Sequence, residues 1–185
     1  MSAVKLVVLD RDGVINADSD AFIKSPAEWQ PIPGSLEGIA ALTNAGFTVT
    51  VATNQSGLAR GLFDIDTLNH IHGQMTERIA AVGGRIDAVA FCPHGPDAGC
   101  DCRKPAPGLL LTLAKRFGVS LQDVPIVGDS VRDLEAAYRV NGKPMLVRTG
   151  KGDRASRHLP RHLANVPVVD DLESAVEMIL DRLGS

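Results

Sequence analysis

VKLVVLDRDGVIN, residues 4–16, decides how the rest of the chain is read. Val4 to Leu9 is a run rich in β-branched residues, read as a strand, and it meets Asp10 and Asp12 at once. The same alternation of apolar run and polar end recurs down the chain. SLEGIAALTNAGF (35–47) has apolar residues at helical spacing, with Ser35 as its cap and Gly46 as its stop. TVTVA (48–52) is a second strand, and a helix from about Asp66 to Val82 ends at Gly83-Gly84. IDAVAFC (86–92) is a third strand, and PGLLLTLAKRFG (107–118) a helix closed by Gly118. VPIVG (124–128), KPMLV (143–147) and VPVV (166–169) read as strands, SVRDLEAAYRVNG (130–142) and DLESAVEMILDRL (171–183) as helices. KGDRASRHLPRHLA (151–164) reads as polar loop.

Apolar strands alternating with helices predict an α/β fold: a doubly wound, mostly parallel, Rossmann-like sheet with helices on both faces. The 185 residues are expected to form one domain, with no repeat, low-complexity tract or linker to divide them. Only about forty residues separate Asp10 from Thr53, and about fifty separate Thr53 from Lys104. Most of both intervals goes to the elements already named, so no large cap domain and a comparatively open site are expected. A net charge of -3 argues against nucleic-acid binding by bulk electrostatics. No apolar run approaches the ~18 residues of a membrane span. MSAVKLVVLD lacks the apolar core and cleavage site of a signal peptide. The expectation is a cytoplasmic protein, in a compartment that keeps thiols reduced.

Ligands of such folds sit beyond the carboxyl ends of the strands, where strand order reverses. After the first strand come Asp10 and Asp12. After the second comes TNQSGLARG (53–61), with Thr53, Asn54, Gln55, Ser56 and Arg60. The loop after the third strand ends in Arg103-Lys104, and GDSVRD (128–133) brings Asp129, Ser130 and Asp133 after the fourth. Carboxylates gathered together repel unless a cation or a proton lies between them. Asp10, Asp12 and Asp129 are hard oxygen donors that suit Mg²⁺. Thr53, the backbone N–H groups around Asn54, and Lys104 supply donors and positive charge for an anion. Acids with a cation, facing donors and a lysine, make a site for phosphoryl transfer.

All three cysteines lie in FCPHGPDAGCDCRKP (91–105), spaced C-x-H-x5-C-x-C. Cys92, His94, Cys100 and Cys102 match a closed tetrahedral Zn²⁺ site, structural because no coordination position is left for substrate. The competing readings are a disulfide with one thiol free, or three unligated thiols. Residues 92–102 have no core of their own, so a metal would make them rigid and fix where Arg103 and Lys104 point. His70 and His72, two apart on a helix, face different directions, and Pro160 interrupts His158 and His162; all four are read as surface residues. Arg60 either reaches an anion or is solvated. Asp133 either supports the site from behind or is a first-turn helix acid.

LDRDGVIN, TNQSG, RKP and VGDSVRD resemble the four motifs of the haloacid dehalogenase-like phosphatases. With CPHG…CDCRKP, the chain resembles more narrowly the D-glycero-D-manno-heptose 1,7-bisphosphate phosphatases and their histidinol-phosphatase relatives. The resemblance implies Asp10 as nucleophile and Asp12 as general acid and base, helped by a raised pKa. It implies Mg²⁺ on the Asp10 carboxylate, the Asp12 carbonyl and Asp129, with Thr53 and Lys104 on the phosphoryl group. Arg103, and the stretch Asp18, Ser19, Asp20 and Ala21, are expected to contact substrate, although the spacer between His94 and Cys100 is shorter than in some relatives. The implied activity is removal of the 7-phosphate from a heptose bisphosphate, the alternatives being histidinol phosphate or another small sugar phosphate. A signalling receiver would place its phospho-accepting aspartate where Cys92-Pro93 stands, and a zinc-organised interaction module would leave the strand-end acids unexplained. The expected partner is a small sugar phosphate, with no nucleic acid and no membrane, and the expected state is a monomer.

Overall fold

The computed structural model describes residues 4–182. The apolar run after Val4 forms β1 (Lys5–Leu9), whose side chains alternate between two cores. Val7 and Leu9 pack with Val49, Val51 and Val127 on one face; Leu6 and Val8 pack with Ala52 and Ile126 on the other. Burial on both faces is why this strand shows no polar alternation.

Five further strands complete the sheet: β2 (Phe47–Asn54), β3 (Ala88–Cys92), β4 (Pro125–Gly128), β5 (Lys143–Val147) and β6 (Val168–Val169). All pairings are parallel, in the order 3-2-1-4-5-6. The chain winds outward through β2 to β3, then returns to the far side of β1 as β4. The reversal therefore lies between β1 and β4, where Leu9 is in register with Val127.

The helices are α1 (Ser35–Asn44), α2 (Ile65–Ala81), α3 (Gly108–Phe117), α4 (Val131–Arg139), α5 (Gly152–Ser156) and α6 (Leu172–Asp181). Helices α1, α2 and α6 cover one face, through residues such as Ile39, Ile71 and Ile179. Helices α3 and α4 cover the other, through Leu109, Leu113, Ala136 and Ala137. Each such leucine or isoleucine contributes about 2 kcal/mol by leaving water. Asp64 and Asp171 cap α2 and α6 by accepting from the N–H groups of Thr67 and Ser174.

Three details differ from the sequence reading. Ser35 does not cap α1: Gly34, at φ 80°, takes that position, and the Ser35 hydroxyl donates to the Ile15 carbonyl at 2.7 Å. The segment 151–164 is not simply loop, since it contains α5 and a 3₁₀ turn (Arg161–Leu163) whose Leu163 is buried against Leu134 and Leu146. Thr53 and Asn54 are the last residues of β2 rather than the start of the following turn. As expected, no cap is inserted among the described residues. One 3₁₀ turn (Pro26–Glu28) lies between β1 and α1, and α2 alone lies between β2 and β3.

Candidate active site

Four strand ends meet at the reversal point. Asp10 follows β1, Thr53 and Asn54 end β2, Lys104 leaves the loop after β3, and Asp129 follows β4. They line one cavity of about 320 Å³.

Lys104 is the hub of its floor. The side chain is buried, and its Nζ lies 2.7 Å from the Ala52 carbonyl, 3.0 Å from Asp10 Oδ1 and 2.6 Å from Asp133 Oδ1. Three acceptors match the three protons of an ammonium. The Lys104 backbone is pinned as well: its N–H donates to Asn54 Oδ1, and Asn54 Nδ2 donates back to its carbonyl. Burial alone would lower the Lys104 pKa, but Asp10 and Asp133 more than reverse this and raise it. Asp133 has both roles considered for it. Its Oδ2 accepts from the Ser130 N–H and hydroxyl at the start of α4, while its Oδ1 holds Lys104.

The aspartates are electrostatically unlike one another. Burial pushes the Asp10 carboxyl well above its ordinary range; Lys104 pulls it down, while Asp133, Asp129 and Asp12 push it further up. Burial and then Asp133 push Asp129 up to about 7. Asp12 goes the other way. Burial would raise it too, but the Arg11 charge and hydrogen bonds from Asn16, Arg11 and Gln55 outweigh burial and hold it below the usual range. The raised pKa expected for a general acid is therefore absent from this arrangement, because Asp12 sits among donors.

Asp10, Asp129 and Asp133 each bring a carboxylate oxygen within 4.8 Å of the others. The Asp133 oxygens already accept from Lys104 and Ser130, which leaves Asp10 and Asp129 as donors for a cation. Hard oxygens whose mutual repulsion raises their proton affinity fit Mg²⁺. The backbone is shaped around Asp129. Gly13 at φ 82° and Gly150 at φ 57° both occupy the left-handed region, and a Cβ at either would overlap the Asp129 carboxylate. The Lys151 N–H donates to Asp129 Oδ2 at 2.8 Å, and Lys151 Nζ pairs with Asp18 at 2.7 Å.

The cysteine loop is compact. Cys92 Sγ lies 3.7 Å from Cys100 Sγ and 3.2 Å from Cys102 Sγ. His94 Nδ1 lies 3.5 Å from Cys92 Sγ and 3.3 Å from Cys102 Sγ. A tetrahedron with ~2.3 Å Zn–S bonds has edges of about 3.8 Å, so the four donors fit zinc. The three cysteines are free, which removes the disulfide reading. Arg103 Nη1 donates to the His94 carbonyl, tying the cation to a zinc-site residue.

Asp18, Ser19, Asp20, Gln55, Ser56, Arg60 and Arg103 also line the cavity. Ala21 does not; it is exposed, and its carbonyl accepts from Lys24. Arg60 stacks over Phe22 at 5.6 Å. Arg132 and Lys151 line the cavity without having been singled out. Lys151 follows β5, so the strand-end test applied once more finds it. The surface reading holds for His70, His158 and His162, which are exposed. It fails for His72, which is half-buried with Nε2 3.2 Å from Arg11 Nη1. Arg11 itself is 0% exposed, and nothing in its spacing marks it.

The HAD-hydrolase-like family model matches residues 101–175. The D-glycero-beta-D-manno-heptose-1,7-bisphosphate 7-phosphatase of Bordetella bronchiseptica is 54% identical over 97% of this chain and 99% of its own. The enzyme of that name from Pseudomonas aeruginosa is 50% identical over 95% and 97%. Among solved structures, the Bordetella bronchiseptica D,D-heptose 1,7-bisphosphate phosphatase complexed with magnesium and phosphate superposes with a TM-score of 0.92 at 53% identity, covering 97% of this chain and 99% of that one. The Burkholderia thailandensis D,D-heptose 1,7-bisphosphate phosphatase superposes at 0.74 and 46% identity, covering 98% and 99%.

Proposed function

The chain belongs to the D-glycero-β-D-manno-heptose-1,7-bisphosphate 7-phosphatases, within the haloacid dehalogenase-like phosphatases, and from that premise we propose how its own residues carry the reaction. The chain is a Mg²⁺-dependent phosphomonoester hydrolase that removes the 7-phosphate of D-glycero-D-manno-heptose 1,7-bisphosphate, on the route to ADP-heptose. The observation that supports this most is the convergence of Asp10, Thr53, Lys104 and Asp129 from four strand ends on one cavity.

Asp10 is the nucleophile. One of its carboxylate oxygens forms a bond to the 7-phosphorus as the bond from phosphorus to the C7 oxygen breaks, giving an aspartyl-phosphate. Asp12 delivers a proton to the departing alkoxide. It then takes one from water as the water oxygen attacks phosphorus and the bond to Asp10 breaks, releasing phosphate and restoring the Asp10 carboxylate and the protonated Asp12. Two displacements replace one difficult one. An incoming phosphate dianion beside Asp12 opposes its ionisation and moves its low pKa upward, toward the protonated form the first step needs. Lys104 and Thr53 hold the phosphoryl oxygens, and the Gln55 amide, donating to both Thr53 Oγ1 and Asp12 Oδ2, keeps the two in register.

The Asp10 and Asp129 carboxylates and the Asp12 carbonyl hold Mg²⁺, which when bound offsets negative charge on the phosphoryl oxygens. Cys92, His94, Cys100 and Cys102 hold Zn²⁺, which keeps loop 92–102 rigid and aims Arg103 at the substrate. Asp18, Ser19, Asp20, Asn54, Ser56, Arg60 and Arg103 form the substrate-facing wall; Ala21 contributes backbone at most. The whole of 1–185 acts as one domain and as a monomer in the cytoplasm, without nucleic acid. No helix among the described residues is long and apolar enough to cross a membrane.

The deciding test is steady-state phosphate release from the heptose bisphosphate and from histidinol phosphate, with Mg²⁺ and with EDTA. The expected result is Mg²⁺-dependent release with the heptose ester preferred. A preference for histidinol phosphate would overturn the substrate, and EDTA-insensitive turnover would overturn the mechanism.

A further inference from the structure

Arg11 sits between the two aspartates that the reaction uses, yet it is not among the residues lining the cavity and is 0% exposed. Its Nε lies 3.0 Å from Asp12 Oδ1, and its Nη2 lies 2.9 Å from Oδ1 and 3.0 Å from Oδ2. That two-pronged grip fixes the plane of the Asp12 carboxylate as well as its position. Among the described residues, the other side-chain partner of the guanidinium is His72, whose Nε2 faces Nη1 at 3.2 Å. A guanidinium can only donate. Nε2 must therefore accept, which leaves the ring neutral with its proton on Nδ1.

We propose that His72 is a positioning residue for this phosphatase: from α2, it accepts a hydrogen bond from Arg11 and so holds the guanidinium that aims Asp12 at the leaving-group oxygen. The inference rests on reading Asp12 as general acid and base. Helix α2 is a firm base for the contact, because Leu68, Ile71, Met75 and Ile79 bury its inner stripe. His72 lies on the shoulder of that stripe, one residue past Ile71 and one turn from Leu68. Its ring also meets Phe91 of β3, with centroids 6.3 Å apart. Helix α2 and strand β3 thus fix where Nε2 lies. Without an acceptor there, one edge of a buried guanidinium loses its partner and Arg11 is free to shift, carrying Asp12 with it. An error of about 1 Å at a proton donor can cost on the order of 100-fold in rate. Burial, then the charge of Arg11, hold the His72 pKa down to about 4 against a smaller pull from Asp12, which agrees with an accepting Nε2.

The test compares His72→Leu, His72→Gln and Asp12→Asn on the heptose bisphosphate, whose alkoxide leaves poorly, and on 4-nitrophenyl phosphate, whose phenolate needs little help. His72→Leu should lower kcat about 10-fold on the sugar ester and about 2-fold or less on the aryl ester, with KM unchanged on both. His72→Gln, whose amide oxygen can accept, should recover the sugar-ester rate to within about 3-fold of wild type. Equal losses on the two esters, or no loss, would overturn the proposal. If Asp12→Asn itself shows no leaving-group selectivity, it is the reading of Asp12 that fails. A measurement without substrate stands beside these: imidazole ¹⁵N spectra of the wild-type protein should show the His72 proton on Nδ1. A proton on Nε2 rules out the Arg11 contact, whether or not the leucine variant folds.

Discussion

The cysteine loop gathers four donor atoms from residues 92–102, whereas the carboxylate centre draws Asp10, Lys104, Asp129 and Asp133 from positions 10 to 133. The first is a local object: spacing along the chain already brings its thiolates and imidazole within one metal's reach. The second exists only once β1, β4 and the loop after β3 are neighbours. The two also carry charge differently. Around Lys104 the acids are buried, and the one ammonium offsets only part of their repulsion, so Asp10 and Asp129 stay raised; in the loop four soft donors crowd together until a metal or protons separate them. Each region is therefore expected to fail in its own way, and the loop is expected to fail without taking the sheet with it.

The sharpest break of that contrast is Asp10→Asn. A carboxamide is no nucleophile toward phosphorus, so turnover should fall by about 10⁴-fold or more. The charge lost is one of two on Lys104, whose contacts to Asp133 and the Ala52 carbonyl remain. The circular-dichroism spectrum should be that of wild type. Turnover near wild type in the folded variant would end the assignment of Asp10.

Next in size is the loop. Elemental analysis should find about one zinc per chain that survives dialysis against Mg²⁺. Cys102→Ala removes the ligand adjacent to Arg103 and Lys104 and should cost roughly 100-fold in kcat/KM, with KM raised and the fold intact. Full activity in a zinc-free variant would show that the loop does not organise the substrate wall, and global unfolding would show that the sheet depends on the packing of Cys92, Cys100 and Cys102 against its core.

Asp133→Ala tests the other side. It leaves the Lys104 Nζ with two acceptors in place of three and strips the Ser130 N–H of its partner at the start of α4. The expected loss is about 2 kcal/mol, seen as a melting temperature lower by roughly 5 °C. No change in melting would mean that the ammonium and the α4 terminus find water instead.

The smallest effect separates His72 from its exposed counterparts. Its folded pKa, about 4, lies below the 6.5 of an unperturbed histidine. Between those values the unfolded chain binds a proton that the folded chain does not, so stability is lost as pH falls from 6.5 toward 4. From pH 7 to pH 5 the wild type should lose about 1 kcal/mol more than His72→Gln, after screening at a half-buried site. That is roughly 3 °C in melting temperature. Parallel melting curves for the two proteins across this range would remove His72 as the titrating group.

Much of the molecule follows from patterns short enough to read along the chain. Val4 to Leu9 reads as a strand of a sheet covered on both faces, and Lys5–Leu9 is that strand, buried from Leu6 onward; Gly118 ends α3 in the left-handed region. The ligand spacing of Cys92, His94, Cys100 and Cys102 sufficed because a metal site that small needs no distant partner. Asp10, Thr53, Lys104 and Asp129 could be located at strand ends, and the rule that parallel sheets bind ligands at the point of reversal brought them together in advance. Tertiary structure alone decided their electrostatic characters. Asp10 and Asp12 are two residues apart and chemically identical, yet burial beside Asp133 and Asp129 raises one while Arg11, Asn16 and Gln55 lower the other. Nor does helical spacing reveal that His72, beside the buried stripe of α2, meets a guanidinium 61 positions earlier in the chain. Spacing along a chain reports which face a side chain is on, but a pKa or a hydrogen-bond partner depends on what other elements bring to that face, and only the folded sheet sets those distances.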